Sequence, residues 1–232
     1  MCAMPMELDP IVQRLGLRES VVGDMTMQVG SPGGRRIAAI VTGMGPALAT
    51  EGITRLLDSV VVERVVVVGI TGAVDEDTPI GTLVRPERVI DGSTDPIGGG
   101  SEYRPAPLGP QMPEGVMWTT DRLITDPEEI AALRERGVVA LDMETAAIAA
   151  ACERRDIPWS VFRVISDRAT DGSVDEEVFH LSNQDGTPDD AAIELYFSQH
   201  PERVEAMARL AEGAMLGAQA AADAAIAACG LG

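Results

Sequence analysis

Apolar residues along this chain form two kinds of run that alternate from end to end. Residues 64–69 carry four consecutive valines with no polar alternation, which predicts a strand buried on both faces. Residues 157–169 repeat the pattern, with an apolar core at 161–165 that ends in Ser166-Asp167. Residues 21–29 alternate with period two. They lead through Ser31-Pro32-Gly33-Gly34 into residues 36–41, which predicts a hairpin. Residues 82–90 predict another strand. Between these runs lie helical patterns. Thr42-Gly43-Met44-Gly45-Pro46 opens a helix to about residue 59, with Pro46 suited to a first helical position. Residues 126–136 predict a helix capped by Asp126 with Pro127 following. The stretch from Ala140 to Cys152 predicts an alanine-rich helix with Glu144 in its first turn, and residues 202–229 a long C-terminal helix. Residues 91–115, rich in Gly, Pro and Ser, predict a surface loop with the makings of a lid. Strands alternating with helices give an α/β fold, and no internal repeat is visible. At 232 residues the chain can bury a sizeable core as one domain, 1–232.

In an open α/β sheet, ligands bind outside the carboxyl ends of the strands. Asp167 ends the 157–169 run and therefore occupies such a place, with Glu144 entering from the neighbouring helix. A helix N-cap is the plainer role for Ser166-Asp167, and a dipole-favoured first-turn acid the plainer role for Glu144. Asp142 could fill the N-cap of that helix and leave Glu144 free. Arg163 lies inside the apolar run and needs a partner, which favours a buried carboxylate nearby.

Charge and composition narrow the partners. The formal net charge is −19, and all 18 basic residues are arginine. Without lysine there is no Schiff-base lysine and no P-loop lysine. The acidic balance argues against nucleic acid, because phosphate contacts need a basic face. The three cysteines are widely spaced and the two histidines form no zinc motif, so no metal is expected. No apolar run of membrane-spanning length and no signal peptide appears, which gives the expectation of a cytoplasmic protein without membrane contact.

Three motifs carry a resemblance. They are Asp142-Met143-Glu144-Thr145-Ala146-Ala147-Ile148-Ala149, Arg163-Val164-Ile165-Ser166-Asp167-Arg168-Ala169 and Ala3-Met4-Pro5-Met6-Glu7. In order and spacing they resemble the nucleoside phosphorylase/nucleosidase superfamily, with the nearer likeness to methylthioadenosine/S-adenosylhomocysteine nucleosidases. The resemblance covers most of the chain but is poor at 91–115 and beyond about 171. It implies a three-layer αβα architecture with a mixed twisted central sheet, phosphorylase/hydrolase-like, and a homodimer whose partner covers the 5′ side of the pocket. Segments at 91–115 and Met117-Trp118 are available for that interface. Family members open with a buried strand ahead of the Ala-Met motif. Here Met1-Cys2 alone precede it, so either the start lies upstream or the strand is cut short.

The activity implied is hydrolysis of the N-ribosidic bond of an adenine nucleoside, of methylthioadenosine or S-adenosylhomocysteine type, without a cofactor. Asp167 would be the acid serving purine N7, and Glu7 the base for water with Arg163 fixing it. Glu144 would accept from the ribose hydroxyls, since a carboxylate has lone pairs enough for a vicinal diol. Met143 would pack on the sugar, a role it shares with that of an ordinary core methionine. Ile124 would meet the base through its backbone. Ser166, Thr71 and Met4 complete the implied substrate contacts. Two positions depart from the family: Leu123 stands where an aromatic usually stacks on the base, and Ile70 replaces a small polar residue in Gly69-Ile70-Thr71-Gly72-Ala73. Other readings are a purine nucleoside phosphorylase, a futalosine-type or adenosylhopane-type nucleosidase, and a non-catalytic nucleoside-binding protein. By resemblance, the related phosphorylases place an arginine near the end of the first strand and another two residues before the glycine of the central turn. Here the first ten residues lack arginine and Val67 holds the central position, leaving Arg35 and Arg36 in the hairpin as the nearest basic residues.

Overall fold

The computed structural model describes residues 1–94, 100–110 and 112–231. The chain opens with a two-residue strand segment. Met1 N donates to Val66 O (2.7 Å) and Val68 N to Met1 O (2.9 Å). Cys2 N donates to Ile40 O (3.1 Å) and Thr42 N to Cys2 O (2.9 Å). Helix α1 (Pro5–Leu15) follows at once, with Glu7 in its first turn. A small antiparallel sheet comes next, from β1 (Arg18–Val22), β2 (Met25–Gly30) and β3 (Ile37–Ala39), then α2 (Pro46–Ser59). The predicted 21–29 strand is therefore two strands, turned at Gly23-Asp24. Glycine at φ 64° makes the turn, and the alternation continues across it.

The main sheet contains β4 (Val65–Ala73), β5 (Leu83–Val84), β6 (Arg88–Asp91), β7 (Glu102–Tyr103), β8 (Val116–Thr119), β9 (Val138–Asp142) and β10 (Trp159–Arg168). Their order is β5-β10-β4-β9-β8-β6-β7. The pairs β10/β4, β8/β9 and β6/β8 are parallel; β5/β10, β4/β9 and β6/β7 are antiparallel, so the sheet is mixed. The predicted 82–90 strand is also two strands, broken at Arg85-Pro86-Glu87. Proline lacks the N–H a central strand needs.

Helices α3 (Pro127–Glu135) and α4 (Thr145–Glu153) connect the strands, and α5 (Glu176–Phe179), α6 (Asp190–Gln199) and α7 (Val204–Ala228) follow β10. Asp126 caps α3 as expected, accepting from Glu128 N (2.8 Å) and Glu129 N (3.3 Å). Helices α1, α5 and α6 were not anticipated. Period-two burial on β4 and β10 divides the core. Val65, Val67, Val161 and Ile165 pack with Ala49, Ile53 and Leu56 of α2 and Ile148 and Ala149 of α4. Val68, Phe162 and Val164 pack with Leu8 and Ile11 of α1 and Ala221, Ala222 and Ala225 of α7. Helices thus cover both faces of a mixed sheet, giving the three-layer α/β architecture.

Three further expectations change. Ala140, Leu141 and Asp142 belong to strand β9, so Glu144 stands at the N-cap of α4, one residue before its first turn. Met117 and Trp118 are wholly buried in β8 and are not available to a partner. Residues 95–99 and 111 of the expected lid lie outside the described residues. The described part starts near the site, where Gly92 N donates to Thr119 O (2.7 Å), and reaches the amino end of β10, where Ala106 N donates to Trp159 O (2.7 Å).

Candidate active site

Four ionisable residues meet at the carboxyl end of β9, beside the middle of β4 and β10. Arg163 is placed by β10, opposite Gly69 of β4. Its Nη2 donates to Asp142 Oδ2 and to Glu144 Oε2, each at 2.9 Å. Its Nη1 donates to Ile70 O (3.0 Å) and, more distantly, to Glu7 Oε1 (3.3 Å). The guanidinium is 2 % exposed, which explains its partners: a charge removed from water is tolerated when it is paired and hydrogen-bonded. Gly69 makes room for the group. A Cβ there would collide with Glu7 Oε1 and stand 2.7 Å from Arg163 Nη1.

Glu7 is wholly buried, at the third position of α1. Its Oε2 accepts from Ala3 N (2.8 Å) and Met4 N (3.0 Å), the reach of a capping box back to its helix start. Its Oε1 accepts from Ile70 N (2.8 Å) as well as from Arg163. Four donors fill the four acceptor sites of the carboxylate. Glu7 is therefore held in place and sealed from solvent.

Glu144 accepts from the N–H of Gly45 (2.9 Å), the N-cap residue just before α2, so the Gly43-Met44-Gly45 turn does approach the site. Burial raises the Glu144 pKa from 4.5 to about 7, opposed by Arg163 and helped by the negative charge of Asp142. Asp142 does two jobs. It caps α4 through Thr145 N (2.9 Å) and the Thr145 hydroxyl, and it holds Arg163. Its other oxygen accepts from the Thr119 hydroxyl (2.6 Å). Sequence reasoning found only the cap. The missed signal was the unpaired arginine, which with three acids to choose from was matched to one.

Asp167 stands apart from this cluster. Its carboxylate accepts from the Ser166 hydroxyl (2.6 Å). Burial raises its pKa; the Ser166 bond opposes the shift and nearby Asp171 adds to it. It lines a cavity of about 130 Å³ together with Leu123, Ile124, Met143, Gly72 and Val174. The bulge between Ile165 and Asp167 turns that side chain at the strand end.

The expected site residues therefore fall into two groups. Glu7, Arg163 and Glu144 converge with Asp142, whereas Asp167, Leu123, Ile124 and Met143 border the cavity; Asp142 also lines the cavity and joins the two groups. Ser166 supports Asp167. Thr71 turns its hydroxyl to Leu141 O (2.5 Å), into the sheet. Met4 is half-buried and serves through its backbone N–H. Arg122 lines the cavity beside Leu123, and Val174 lines it too; Val174 was not anticipated, because the chain beyond residue 171 gave no pattern. Among the described residues no cluster of His, Cys, Asp and Glu has the geometry to hold a metal ion, and no helix is long and apolar enough to cross a membrane.

The family model for the phosphorylase superfamily matches residues 1–110 and 104–195. A 5′-methylthioadenosine/S-adenosylhomocysteine nucleosidase of Listeria innocua is 25% identical over 196 residues, covering 72% of this chain and 84% of that protein. The solved structure of the Helicobacter pylori 5′-methylthioadenosine/S-adenosylhomocysteine nucleosidase with butyl-thio-DADMe-Immucillin-A shares the fold at a TM-score of 0.73. It is 18% identical and covers 99% of this chain and 95% of that one. The futalosine hydrolase of the same organism superposes with a TM-score of 0.70 at 19% identity, covering 96% and 92%.

Proposed function

This chain belongs to the phosphorylase superfamily, and from that premise we propose that it hydrolyses the N-ribosidic bond of an adenine nucleoside carrying a 5′-thioether. The observation that supports this most is the division of the carboxylates. One, Asp167, is desolvated beside a cavity; three, Glu7, Asp142 and Glu144, share Arg163 a short way off.

The reaction needs both. As the C1′–N9 bond breaks, its electron pair moves into the purine, and the sugar becomes cationic. Burial pushes the Asp167 pKa up, which favours the protonated carboxyl that would give its proton to N7 of the departing base. Leu123 and Ile124 would flank that base. Glu144 would take the ribose hydroxyls, with Met143 against the sugar. Three acidic groups against one guanidinium favour the developing positive charge. Water attacks C1′ and passes its proton to Glu7. All four acceptor sites of Glu7 are occupied, so the water must displace one donor, and the 3.3 Å contact from Arg163 is the longest of them.

The same cluster favours water over phosphate. A phosphate dianion wants arginine forks or a nest of N–H groups. The guanidinium among these carboxylates has its Nη groups engaged by Glu7, Asp142, Glu144 and Ile70 O. Arg35 and Arg36 are exposed, and Arg35 donates to Cys229 O (2.6 Å) at the end of α7. The reading carries with it a homodimer acting in the cytoplasm, with no nucleic-acid or membrane partner.

The test is to incubate pure protein with a nucleoside panel, with and without phosphate, and to follow both products. Free adenine and free sugar at a rate indifferent to phosphate support the proposal. A sugar 1-phosphate, or a rate that saturates with phosphate, makes the protein a phosphorylase. Equal kcat/KM for inosine and methylthioadenosine overturns the adenine assignment.

A further inference from the structure

The chain does not pass directly from α5 to α6. Residues 181–189 form a tight loop closed by a Ser182–Pro188 bridge, with Asn183 N donating to Thr187 O (2.8 Å) and Gly186 N to Asn183 O (2.9 Å). Its tip is braced by Asp185, which accepts from Thr187 N (3.0 Å) and the Thr187 hydroxyl (2.6 Å). The loop is docked, not free. Met44 N donates to Gln184 O (2.8 Å). Gly186, at φ 78°, rests on Met4 so closely that a Cβ would stand 2.5 Å from Met4 Cγ and 3.0 Å from its Cα.

The two segments it touches are those that hold the sugar-side carboxylates. Met4 N binds Glu7, and Gly45 N, one residue after Met44, binds Glu144. Neither Met4, Met44 nor the loop borders the cavity beside Asp167. The loop therefore closes the carboxylate cluster on another side from the base cavity. In a ribonucleoside the base leaves from C1′ and the 5′ group from C4′, across the ring oxygen, while the diol takes the other two carbons. A sugar held by its diol at Glu144, with its base at Asp167, directs C5′ away from the base cavity.

Resting on the nucleosidase reading above, we propose that the 181–189 loop is the wall that the 5′ substituent meets, and that it restricts the site to short substituents. Gly186 is then a specificity-determining position, because only a residue without Cβ lets the loop seat on Met4. Gln184 acts through its carbonyl, which fixes Met44 and with it the turn that presents Gly45 N.

The test compares two adenine nucleosides, one with a 5′-methylthio group and one with a 5′-homocysteinylthio group, on the wild type, Gly186→Val and Asp185→Ala. The wild type should favour the short substituent by about tenfold or more in kcat/KM, within the range a shaped pocket can provide. Gly186→Val should narrow that ratio by about fivefold, through a lower KM for the long substrate. Asp185→Ala, at the exposed tip, loosens the loop without a new clash and should move the ratio in the same direction; it decides the matter if Gly186→Val fails to fold. A wild type that takes both substrates equally overturns the proposal. So does a ratio unmoved in the variants, or an equal loss of kcat on both substrates, which would mark the loop as mere support. Failure of the wild type to release base from any adenine nucleoside would instead overturn the parent reading.

Discussion

The sugar-side cluster and the base-side cavity place the same kind of group, a carboxylate, in opposite situations. Glu7 is buried under four donors, and Asp142 under Thr119, Thr145 and Arg163. Asp167 is desolvated with one hydroxyl for company, and its pKa rises for want of a compensating charge. Glu144 stands between the extremes: it has a guanidinium and an N–H, yet burial, helped by the charge of Asp142, keeps its pKa up at about 7. Burial alone therefore does not decide what a carboxyl can do. Burial raises the pKa of both Asp167 and Glu144, and the donors aimed at each carboxyl oppose that shift, so one residue type can be set to different tasks by distributing donors unevenly.

Removing the shared cation breaks the comparison most severely. Arg163→Met leaves three buried acids without their partner and should lower unfolding free energy by about 3–5 kcal/mol. Urea denaturation measures it. A loss below about 1 kcal/mol would mean that the acids are already protonated or solvated, and that the two regions do not differ as described.

The next effect is a pH dependence of stability. Folding raises the Glu144 pKa, so between 4.5 and about 7 the folded protein keeps a proton that the unfolded chain has released. The folded state then binds more protons, and stability falls as pH rises through that window. Relative to Glu144→Gln, the wild type should lose on the order of 2 kcal/mol between about pH 4.5 and pH 7. Parallel stability curves for the two proteins would remove Glu144 from the account.

Leu123→Phe sharpens the base side with the smallest effect. An aromatic ring beside the base should add about 0.5–1.5 kcal/mol of stacking, seen as a KM for the adenine nucleoside lowered by about two- to tenfold. An unchanged KM would place the base away from Leu123.

How much of this was legible depended on how local the signal was. Strands β4 and β10 announced themselves as valine-rich runs, and Asp126-Pro127 marked α3, because burial and capping leave traces within a few residues. Strand β8 did not, since four residues after a Gly-Pro-rich stretch carry too little period, and Met117 and Trp118 looked like surface apolar residues when they are core. Pro86 was a readable break that the 82–90 strand overran. Asp175 and Asp189, each capping a helix through its side chain, were equally readable starts for α5 and α6. The site was legible as residue types: an arginine in an apolar run demanded a carboxylate. Which carboxylates answered was not, because Glu7 and Arg163 meet across 156 positions of chain. The double duty of Asp142 arises only when β9 ends beside β10 and α4 begins there.

The central claim is that Asp167, without a charged partner among the described residues, holds the proton that the departing base takes. Asp167→Asn removes that proton and little volume, so the measurement is kcat for adenine release by the variant beside the wild type, with thermal unfolding run on both. The account predicts a kcat lower by about a thousandfold, the scale of general acid catalysis, at an essentially unchanged melting temperature. A variant that keeps more than about a tenth of wild-type kcat, a loss under about 1.4 kcal/mol in the barrier, would contradict it.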